Sequence, residues 1–247
     1  MSGRQKLEKL LGTYSTVAVA YSGGVDSALL AAAAKNCGLL VQAYGVWTEL
    51  VPESERRQAV RAAEESGLPL HIIRLNLLDN PLIQANSSQR CYFCKKQLLQ
   101  SIQAKLPVGQ VLLDGTNASD LADERPGMRA LLELGVISPL REAGLSKAEV
   151  RQWARELGLS VWNKPSYSCL ATRIATGQEL EVNLLQQIEQ DENFLRNLGL
   201  QNFRLRIAGK QVNLQIAAGE KFDYCQVRKY LASRWEKVQF SLSPDKR

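Results

Sequence analysis

The stretch TVAVAYSGGVDS, residues 16–27, decides the fold. Its first half, Thr16–Tyr21, is a short run of β-branched and small apolar residues, which predicts a buried strand. The segment Asp26–Lys35 is rich in alanine and leucine and predicts a helix, so the two glycines fall in the turn between them. A strand, a glycine turn and a helix in this order are typical of the opening unit of a doubly wound α/β domain.

Apolar runs alternate with helical patterns through the rest of residues 1–165. Runs that are apolar throughout are typical of strands in a parallel sheet that helices cover on both faces. We therefore expect a doubly wound parallel sheet. Its further strands are predicted at Leu40–Trp47, Leu70–Leu75, Val111–Asp114 and Val136–Ser138, and its further helices at Glu53–Glu65, near Lys95–Lys105 and at Ser146–Leu157.

The remainder of the chain predicts a linker and a small α+β domain. Residues 166–177 are rich in Pro, Ser and Gly and read as a flexible active-site linker between a first domain, 1–165, and a second, 178–247. The second domain is too short for an independent function, and we expect it to serve in substrate binding or oligomerisation. Its elements are predicted as a helix at Glu179–Leu198, strands at Phe203–Ile207 and Gln211–Ile216, a helix at Phe222–Leu231 and a strand at Val238–Leu242.

The composition is that of a globular enzyme-like chain: 247 residues, 45% hydrophobic, 23% charged, with a formal net charge of +6. The charge suits an anionic ligand, but no basic run or transmembrane stretch is present, so neither nucleic acid nor membrane is an expected partner. Residues 1–7 lack the apolar core of a signal peptide, so we expect a cytoplasmic protein with reduced thiols. The single histidine, His71, falls in an apolar run and is expected to be buried and structural.

The turn SGGVDS has the features of a phosphate-binding loop. Its glycines allow backbone conformations in which successive N–H groups converge on an anion, and the following helix adds a positive dipole end. An ordinary strand-to-helix turn also accommodates Gly-Gly, but the hydroxyls and the carboxylate favour binding; no Gly-Lys-Ser/Thr follows, so this is not a Walker A loop. The candidate nucleotide-binding residues are Ser22, Gly23, Gly24, Asp26 and Ser27.

A second polar segment, DGTNASD at residues 114–120, leaves the fourth strand at the same edge of the sheet. Gly115 permits close backbone approach, and Asn117 and Asp120 supply groups for a nucleotide or a metal ion, although a helix cap explains such a segment equally well. SGGVDS resembles the PP-loop of the ATP pyrophosphatases, and that resemblance implies that Thr48, at the end of the second predicted strand, contacts adenine.

Three of the five cysteines form a candidate metal site. Cys91 and Cys94 are three residues apart beside a predicted helix, and Cys169 lies in the linker. Three thiolates can hold a 4Fe-4S cluster with one iron open, whereas zinc would require a fourth ligand. Unliganded thiols remain the alternative, and Cys37 and Cys225 are expected to serve packing.

These motifs together carry a family resemblance. SGGVDS resembles the PP-loop of the ATP pyrophosphatases, whose fold is like that of the adenine nucleotide alpha hydrolases. Over nearly its whole length the chain resembles the LarE family of ATP-dependent sulfur transferases, which build the nickel-pincer cofactor of lactate racemase. The segments that carry this resemblance are SGGVDS, DGTNASD with Asp123–Gly127, Ser138–Leu140 with Ser146–Val150, Pro165–Arg173 and the Arg204–Arg206 strand.

The resemblance implies a reaction and its cofactors. ATP with Mg²⁺ would adenylate a carboxylate of pyridinium-3,5-biscarboxylic acid mononucleotide, releasing pyrophosphate, with Asp26 as a catalytic residue. Sulfur would then displace AMP to give a thiocarboxylate. The sulfur comes either from the thiolate of Cys169, which is consumed, or from a 4Fe-4S cluster on Cys91, Cys94 and Cys169. The presence of Cys91 and Cys94 favours the cluster version. The family assembles as homo-oligomers.

The resemblance also assigns substrate contacts in the C-terminal third. Arg204 and Arg206, two apart on one strand, project to one face and would clamp the substrate phosphate; a solvated basic strand is the alternative. Arg173 and Asp223 match further substrate-binding positions. The chain departs from the family pattern after Arg206, where the family often has a histidine pair and this chain has Ile207-Ala208, and further along the strand, where Gln215 stands in place of an expected acid. By the resemblance, these departures argue against a metal site there and bear on the preferred substrate.

Three alternatives remain open. A tRNA thiolase of the PP-loop class uses the same chemistry, but it should carry a basic face or zinc-ribbon cysteines. A synthetase like those for NAD, GMP or asparagine would need an ammonia source. A protein that keeps the PP-loop only to sense nucleotide, or as an interaction module, would not convert ATP to AMP.

Overall fold

The computed structural model describes residues 1–120 and 126–242 of the chain. Strands and helices alternate through the first part as predicted, and a second group of elements follows. In chain order these are α1 (Gly3–Leu11), β1 (Thr16–Ala20), α2 (Val25–Asn36), β2 (Leu40–Trp47), α3 (Glu53–Glu65), β3 (Leu70–Arg74), α4 (Pro81–Gln84), α5 (Arg90–Gln103), β4 (Leu112–Leu113), α6 (Gly127–Glu133), α7 (Pro139–Glu142), α8 (Lys147–Glu156), a 3-10 helix (Leu170–Arg173), α9 (Val182–Asn197), β5 (Phe203–Ala208), β6 (Gln211–Ile216), α10 (Tyr224–Ala232) and β7 (Lys237–Leu242).

Four parallel strands form the first sheet, in the order β3-β2-β1-β4. β1 pairs in parallel with β2, so that Thr16 lies opposite Leu40. Its residues alternate between two apolar clusters, one that includes Val17 and Val19 and another, on the opposite face, that includes Ala18. The prediction of a parallel sheet covered by helices on both faces is confirmed.

The predicted fifth strand, Val136–Ser138, is wrong. Only one bridge forms there, between Leu113 and Ile137, with the amide of Asp114 donating to the carbonyl of Ile137 at 2.9 Å. Pro139 begins α7 immediately afterwards. Because proline favours the first turn of a helix and cannot donate to a strand ladder, the extended segment has no room to grow.

The edge strand β3 is more exposed than its apolar sequence suggests. Each residue of Leu70–Arg74 is half-buried or exposed. His71 is exposed and stacks on Tyr44 with 4.9 Å between ring centroids. The expected burial of His71 is therefore wrong, because a strand at the edge of a sheet has a neighbour on one side only.

The chain divides into two compact units. The first comprises residues 1–77 and 91–167, and the second comprises residues 78–90 with the chain from Ser168 onward. The sequence places 78–90 in the first domain and 166–177 in a linker, whereas both 78–90 and 168–177 belong to the second unit. Buried Asn86 explains this, because its side chain donates to the carbonyl of Ala175 at 3.0 Å.

The second unit is built on a three-stranded sheet in the order β5-β6-β7. β5 and β6 are antiparallel, and β6 and β7 are parallel. Leu205 and Ile207 are buried, whereas Arg204 and Arg206 lie on the opposite, polar face. The predicted small α+β unit is confirmed.

Helix boundaries differ modestly from the predicted ones. The helix expected near Lys95 begins at Arg90, which places Cys91 and Cys94 inside α5 instead of before it. Helix boundaries are weakly specified by sequence, since a terminal turn is only partly hydrogen-bonded. Among the helices of the described residues, none has the length and apolar character needed to cross a membrane.

Candidate functional site

The turn between β1 and α2 is closed by its own serines. Ser27 Oγ lies 3.3 Å from Ser22 Oγ, accepts a hydrogen bond from the amide of Ser22 at 3.3 Å, and donates to the carbonyl of Gly24 at 3.1 Å. The turn leads directly into α2, whose N-terminus is the positive end of the helix dipole. A preformed loop at a helix N-terminus is suited to bind phosphate.

Two of the predicted glycines are required by contacts that no other residue would allow. Gly23 has φ +69°, and a Cβ there would lie 2.4 Å from Cα of Ala59 on α3. A Cβ on Gly115 would lie 2.8 Å from the backbone nitrogen of Ser27. The glycine loop and the 114–120 segment are therefore packed at van der Waals limits, as close backbone approach in a binding loop demands.

Asp26 lies in the first turn of α2, where the helix dipole stabilises a carboxylate. Its Oδ1 accepts a hydrogen bond from Nδ2 of Asn117 at 3.1 Å, and its Oδ2 is ion-paired with Lys147. Asn117 is only 2% exposed, so the donor is held in place. The structure thus brings together two residues that the sequence predicts as a nucleotide site.

Asp120 contacts the same segment. Its Oδ2 accepts from the amide of Asn117 at 3.1 Å, and Asn117 Oδ1 accepts from the amide of Ser119 at 2.9 Å. Ser119 Oγ in turn accepts from the amide of Lys147 at 2.9 Å. Side-chain oxygens that cap successive amides in this way hold the segment against the start of α8.

Asp114 holds the start of the 114–120 segment in place through its side-chain hydrogen bonds. Asp114 is 3% exposed, and its carboxylate accepts from Lys95 Nζ at 2.8 Å, Ser138 Oγ at 2.7 Å and Thr116 Oγ1 at 2.8 Å. Burial alone would raise the pKa of Asp114, but the charge of Lys95 and these hydrogen bonds outweigh it and lower the pKa below its ordinary value. Asp114 is therefore ionised at neutral pH.

Two lysines near the loop were not among the predicted site residues. Lys147 is paired with Asp26, and Lys164 Nζ lies 2.8 Å from Glu55 and 3.4 Å from the carbonyl oxygen of Gly23. Their charges suit an anionic ligand. Lysine is too common to single out from sequence; a signal was available only in the Ser146 capping box, which fixes the start of α8 at Lys147.

Thr48 is buried within the loop that follows β2. Its Oγ1 accepts from the amide of Leu50 at 3.2 Å, and its carbonyl oxygen accepts from Arg56 at 2.6 Å. These contacts order the loop, and a contact of Thr48 with adenine stays a prediction.

Cys91 and Cys94 both lie on the first turns of α5, the former exposed and the latter half-buried. At a spacing of three residues they share one face of the helix, which suits two ligands of a cluster. Within residues 1–120 and 126–242, no three His, Cys, Asp or Glu side chains lie together as a metal-binding group. Cys169 belongs to the second unit, so the three-cysteine set stays a prediction.

Cys169 immediately precedes the 3-10 helix and is half-buried. Its carbonyl oxygen accepts from Thr172 Oγ1 at 2.7 Å and from Arg173 at 3.2 Å. These contacts satisfy a backbone carbonyl of the turn with side chains of the turn itself. A flexible linker over residues 166–177 stays a prediction.

Arg173, which the sequence predicts to bind substrate, forms a buried ion pair with Glu192. The side chain is 6% exposed, and its Nε lies 2.8 Å from Oε1 of Glu192, itself 1% exposed. The same guanidinium also donates to the carbonyl and the hydroxyl of Ser168. Arg173 therefore shapes the turn that carries Cys169, a role that the sequence did not show because Glu192 is distant along the chain.

Arg204 and Arg206 lie on the polar face of the second sheet, as predicted. Arg204 donates to Ser168 Oγ at 3.3 Å, and Arg206 donates to the carbonyl of Thr172 at 2.8 Å and to Gln215 Oε1 at 3.0 Å. Partial burial, then the charges of Arg204 and Arg173, lower the pKa of Arg206. The surroundings of Arg206 thus carry an excess of positive charge.

Asp223 is the N-cap of α10. Its carboxylate accepts from the amide of Gln226 at 3.0 Å, and the side chain is exposed. An N-cap carboxylate is an ordinary structural role, so substrate contact by Asp223 stays a prediction. Residues Asp123–Arg125, part of the sequence resemblance, lie outside the described residues.

Three known proteins resemble this chain. It is 39% identical over 206 residues to an uncharacterized protein of Synechocystis sp., which covers 82% of the chain and 76% of that protein. It is 31% identical over 183 residues to an uncharacterized protein of Methanocaldococcus jannaschii, and the matched region covers 73% of the chain and 69% of that protein. It is also 31% identical over 214 residues to pyridinium-3,5-bisthiocarboxylic acid mononucleotide synthase of Lactiplantibacillus plantarum. The matched region covers 84% of the chain and 77% of that protein. The chain belongs to the LarE family.

Membership of the LarE family confirms the resemblance inferred from the motifs. The name of the L. plantarum protein is that of an enzyme whose product bears two thiocarboxylic groups. No protein-family model matches the chain. The LarE relationship therefore rests on similarity over most of both chains.

Proposed function

We propose that the chain is an ATP-dependent sulfur transferase that converts a carboxylate of pyridinium-3,5-biscarboxylic acid mononucleotide into a thiocarboxylate. The observation that carries this proposal is Asp26, held by Asn117 and Lys147 at the glycine loop. Membership of the LarE family supports the choice of substrate. A bare carboxylate has a poor leaving group, so activation must precede sulfur transfer.

The first step is adenylation. A carboxylate oxygen of the substrate attacks the α-phosphorus of ATP, the bond to the β-phosphate oxygen breaks, and pyrophosphate leaves with the electron pair. The glycine loop and the α2 dipole hold the leaving group, and Lys147 and Lys164 offset its charge. Asp26 and Asp120 would hold Mg²⁺ through their carboxylate oxygens, the ligands that this ion prefers, and when bound the ion would offset charge on the pyrophosphate.

The second step transfers sulfur. The thiolate of Cys169 attacks the acyl carbon, the carbon–oxygen bond to AMP breaks, and a thioester forms. A base then removes the α-hydrogen of Cys169, the bond between Cβ and sulfur breaks, and the sulfur stays on the product as a thiocarboxylate. Dehydroalanine is left in the chain, so one protein molecule would act once.

The cluster version uses the same activated substrate. Cys91, Cys94 and Cys169 would hold a 4Fe-4S cluster, which when bound would supply an inorganic sulfide in place of the protein thiol. Placement of Cys91 and Cys94 on one face of α5 fits two of the three ligands.

Mass spectrometry of the whole reaction tests the proposal. After incubation with Mg-ATP and the biscarboxylic mononucleotide, we expect AMP, pyrophosphate and a product in which sulfur replaces oxygen. Cys169→Ser should still form pyrophosphate but transfer no sulfur, whereas Cys225→Ser, at an exposed position on α10, should behave as wild type. Absence of AMP, or sulfur delivered to tRNA instead of the mononucleotide, would refute the proposal.

A further inference from the structure

Both oxygens of the Asp26 carboxylate are engaged by nitrogen atoms of other residues. Oδ1 accepts a hydrogen bond from Nδ2 of Asn117 at 3.1 Å, and Oδ2 forms an ion pair with Nζ of Lys147. Asp26 lies in the first turn of α2, and Lys147 is the first residue of α8, 121 residues further along the chain. The carboxylate that the proposed function gives to Mg²⁺ is therefore paired with a cation of the chain itself.

The two nitrogen donors are held with different firmness. Asn117 is buried, and its Oδ1 accepts from the amide of Ser119, so its side chain is fixed. The side chain of Lys147 is 29% exposed and ends in an ammonium on a flexible four-carbon stem. Its backbone is anchored separately, because its amide donates to Ser119 Oγ at 2.9 Å and Ser146 caps α8. The ammonium can therefore leave Asp26 while the backbone of Lys147 stays in place.

The ammonium of Lys147 competes with a divalent cation for the carboxylate of Asp26. Mg²⁺ binds carboxylate oxygens at about 2.0–2.1 Å, and the negative charge of the carboxylate attracts it. Lys147 cancels that charge, and at hydrogen-bonding distance from Oδ2 it would also repel the incoming ion. A divalent cation that arrives without further anions should therefore bind weakly at Asp26.

A phosphate group at the glycine loop reverses this balance. The loop and the N-terminus of α2 suit phosphate, and Asp26 lies in the same helical turn. A lysine ammonium has three donors and no acceptor, so phosphate oxygens attract it and a bound metal ion repels it. Phosphate also supplies the negative charge that Lys147 removes from the metal site. The ammonium and the metal ion can then exchange partners, because each is attracted to a different anion.

We propose that Lys147 is a specificity-determining residue that makes divalent-cation binding at Asp26 depend on a phosphate ligand. Without the ligand, Lys147 Nζ occupies the carboxylate and excludes the free metal ion. When a metal–phosphate complex binds, the metal ion takes the Asp26 carboxylate and Lys147 Nζ moves to the phosphate oxygens. The inference rests on the proposed function for the nature of that ligand, which is the pyrophosphate moiety of ATP.

The exchange also bears on the release of pyrophosphate. When the metal ion departs with pyrophosphate, Lys147 returns to Asp26, so the carboxylate is not left without a cation. The side chain of Asp26 is 24% exposed, and a partly buried carboxylate is costly to leave unpaired. Lys147 thereby favours departure of the metal ion with its pyrophosphate over retention of the metal ion alone.

Binding of the metal ion alone tests the exclusion. Mn²⁺, which takes the same oxygen ligands as Mg²⁺, is titrated into the full chain without nucleotide, and the free ion is followed by EPR. We expect Lys147→Met to bind Mn²⁺ roughly 10-fold more tightly than wild type, the scale of one unit charge removed at a few ångströms from a partly exposed site. Lys147→Arg retains the charge and should bind as weakly as wild type. Lys105→Met, at an exposed position beyond the end of α5, is the matched control and should also behave as wild type.

A second substitution assigns the gain in affinity to Asp26. Adding Asp26→Asn to Lys147→Met should abolish the gain in Mn²⁺ affinity, because the carboxylate that Lys147→Met frees is then gone. Equal Mn²⁺ affinity of wild type and Lys147→Met would overturn the inference, as would a gain that survives Asp26→Asn. Tight Mn²⁺ binding by Lys147→Arg would also contradict it, since the charge would then be irrelevant.

Binding of a metal–phosphate complex tests the exchange. Calorimetric titration of preformed Mn-pyrophosphate, set against the affinity for Mn²⁺ alone, gives the preference of the protein for the complex. We expect Lys147→Met to lower that preference roughly 10- to 100-fold, the scale of one lost charge-assisted contact. The same preference in wild type and Lys147→Met would show that Lys147 does not move to the phosphate.

The outcomes separate this inference from the proposed function. A gain in Mn²⁺ affinity that depends on Asp26, in a protein that forms neither AMP nor thiocarboxylate, would support the exchange and refute the sulfur transferase. Unchanged Mn²⁺ affinity in Lys147→Met, in a protein whose wild type transfers sulfur, would refute the exchange and leave the transferase standing.

Discussion

Asn117 donates a hydrogen bond from Nδ2 to Oδ1 of Asp26 at 3.1 Å, across 91 residues of sequence. The bond joins the glycine loop after β1 to the segment after β4, the strand that pairs with β1. Strand pairing thus brings two loops together at the carboxyl edge of the sheet, where doubly wound folds bind ligands.

Asp26 is expected to be essential for pyrophosphate release. Asp26→Asn keeps the shape and the contact with Asn117 but removes the charge that pairs with Lys147, and we expect a loss of roughly 10²–10³-fold, typical of a lost electrostatic contact in catalysis. A coupled pyrophosphate assay measures the rate. Asp79→Asn, an exposed residue outside the site, serves as the control, and a normal rate in Asp26→Asn would contradict the assigned role.

Gly23 should tolerate no side chain. Gly23→Ala combines a left-handed backbone with a Cβ 2.4 Å from Cα of Ala59, so the loop or α3 must move. Gly158 has the same φ of +69° with open space around it, so Gly158→Ala carries only the backbone cost, roughly 1–2 kcal/mol. Urea unfolding and ATP titration should show a larger loss for Gly23→Ala; equal losses would mean that contact with α3 is unimportant.

The buried ion pair of Glu192 and Arg173 should stabilise the folded state only while both charged side chains are present. Glu192→Gln leaves the buried guanidinium without its charge partner, and we expect a loss of about 3–5 kcal/mol in the free energy of unfolding. The double variant Glu192→Leu with Arg173→Met should lose less than the sum of its single changes. Glu236→Gln, which breaks the exposed pair with Lys210, is the control and should be neutral. Additive losses would show that the pair is not coupled.

Asp114 should make stability depend on acid pH. Because the folded state lowers the pKa of Asp114, its contribution is present above the ordinary value of 3.8 and is lost as pH falls through the folded value. Asp114→Asn should therefore be less stable than wild type at pH 7, and the difference should shrink in acid below 3.8. Denaturant unfolding across pH measures this, and a difference that grows in acid would contradict it.

The cysteine cluster makes a visible prediction. Protein purified without oxygen should contain iron and absorb near ~400 nm through charge transfer from sulfur to iron. Cys91→Ser should lose most of both, whereas Cys225→Ser should keep them. A colourless, iron-free wild-type protein would refute the cluster and favour transfer of the Cys169 sulfur itself.

Local patterns predicted much of the fold and of the first site. The apolar run of β1 and the glycine turn predicted the parallel sheet and the position of Asp26. The segment of Asn117 and Asp120 was found in the same way, because these residues follow the end of a strand, where an apolar run stops abruptly.

What the pattern missed depends on partners far along the chain. The sequence does not show the ion pair of Arg173 with buried Glu192, and substrate contact by Arg173 stays a prediction. The strand β3 was expected to be buried, yet it lies at an edge of the sheet. The sequence does not predict a role for Arg90, whose guanidinium donates to Asn86 and to the carbonyl of Ala171.

The amino-acid sequence by itself determined the α/β class, the position of the glycine loop and the LarE resemblance, because each depends on residues that are neighbours in the chain. The loop also depends on backbone geometry that glycine permits. Only the tertiary structure decided which charged side chains form buried ion pairs and which are exposed. That distinction follows from burial and from contacts between residues distant in the chain, which set the cost of leaving a charge unpaired.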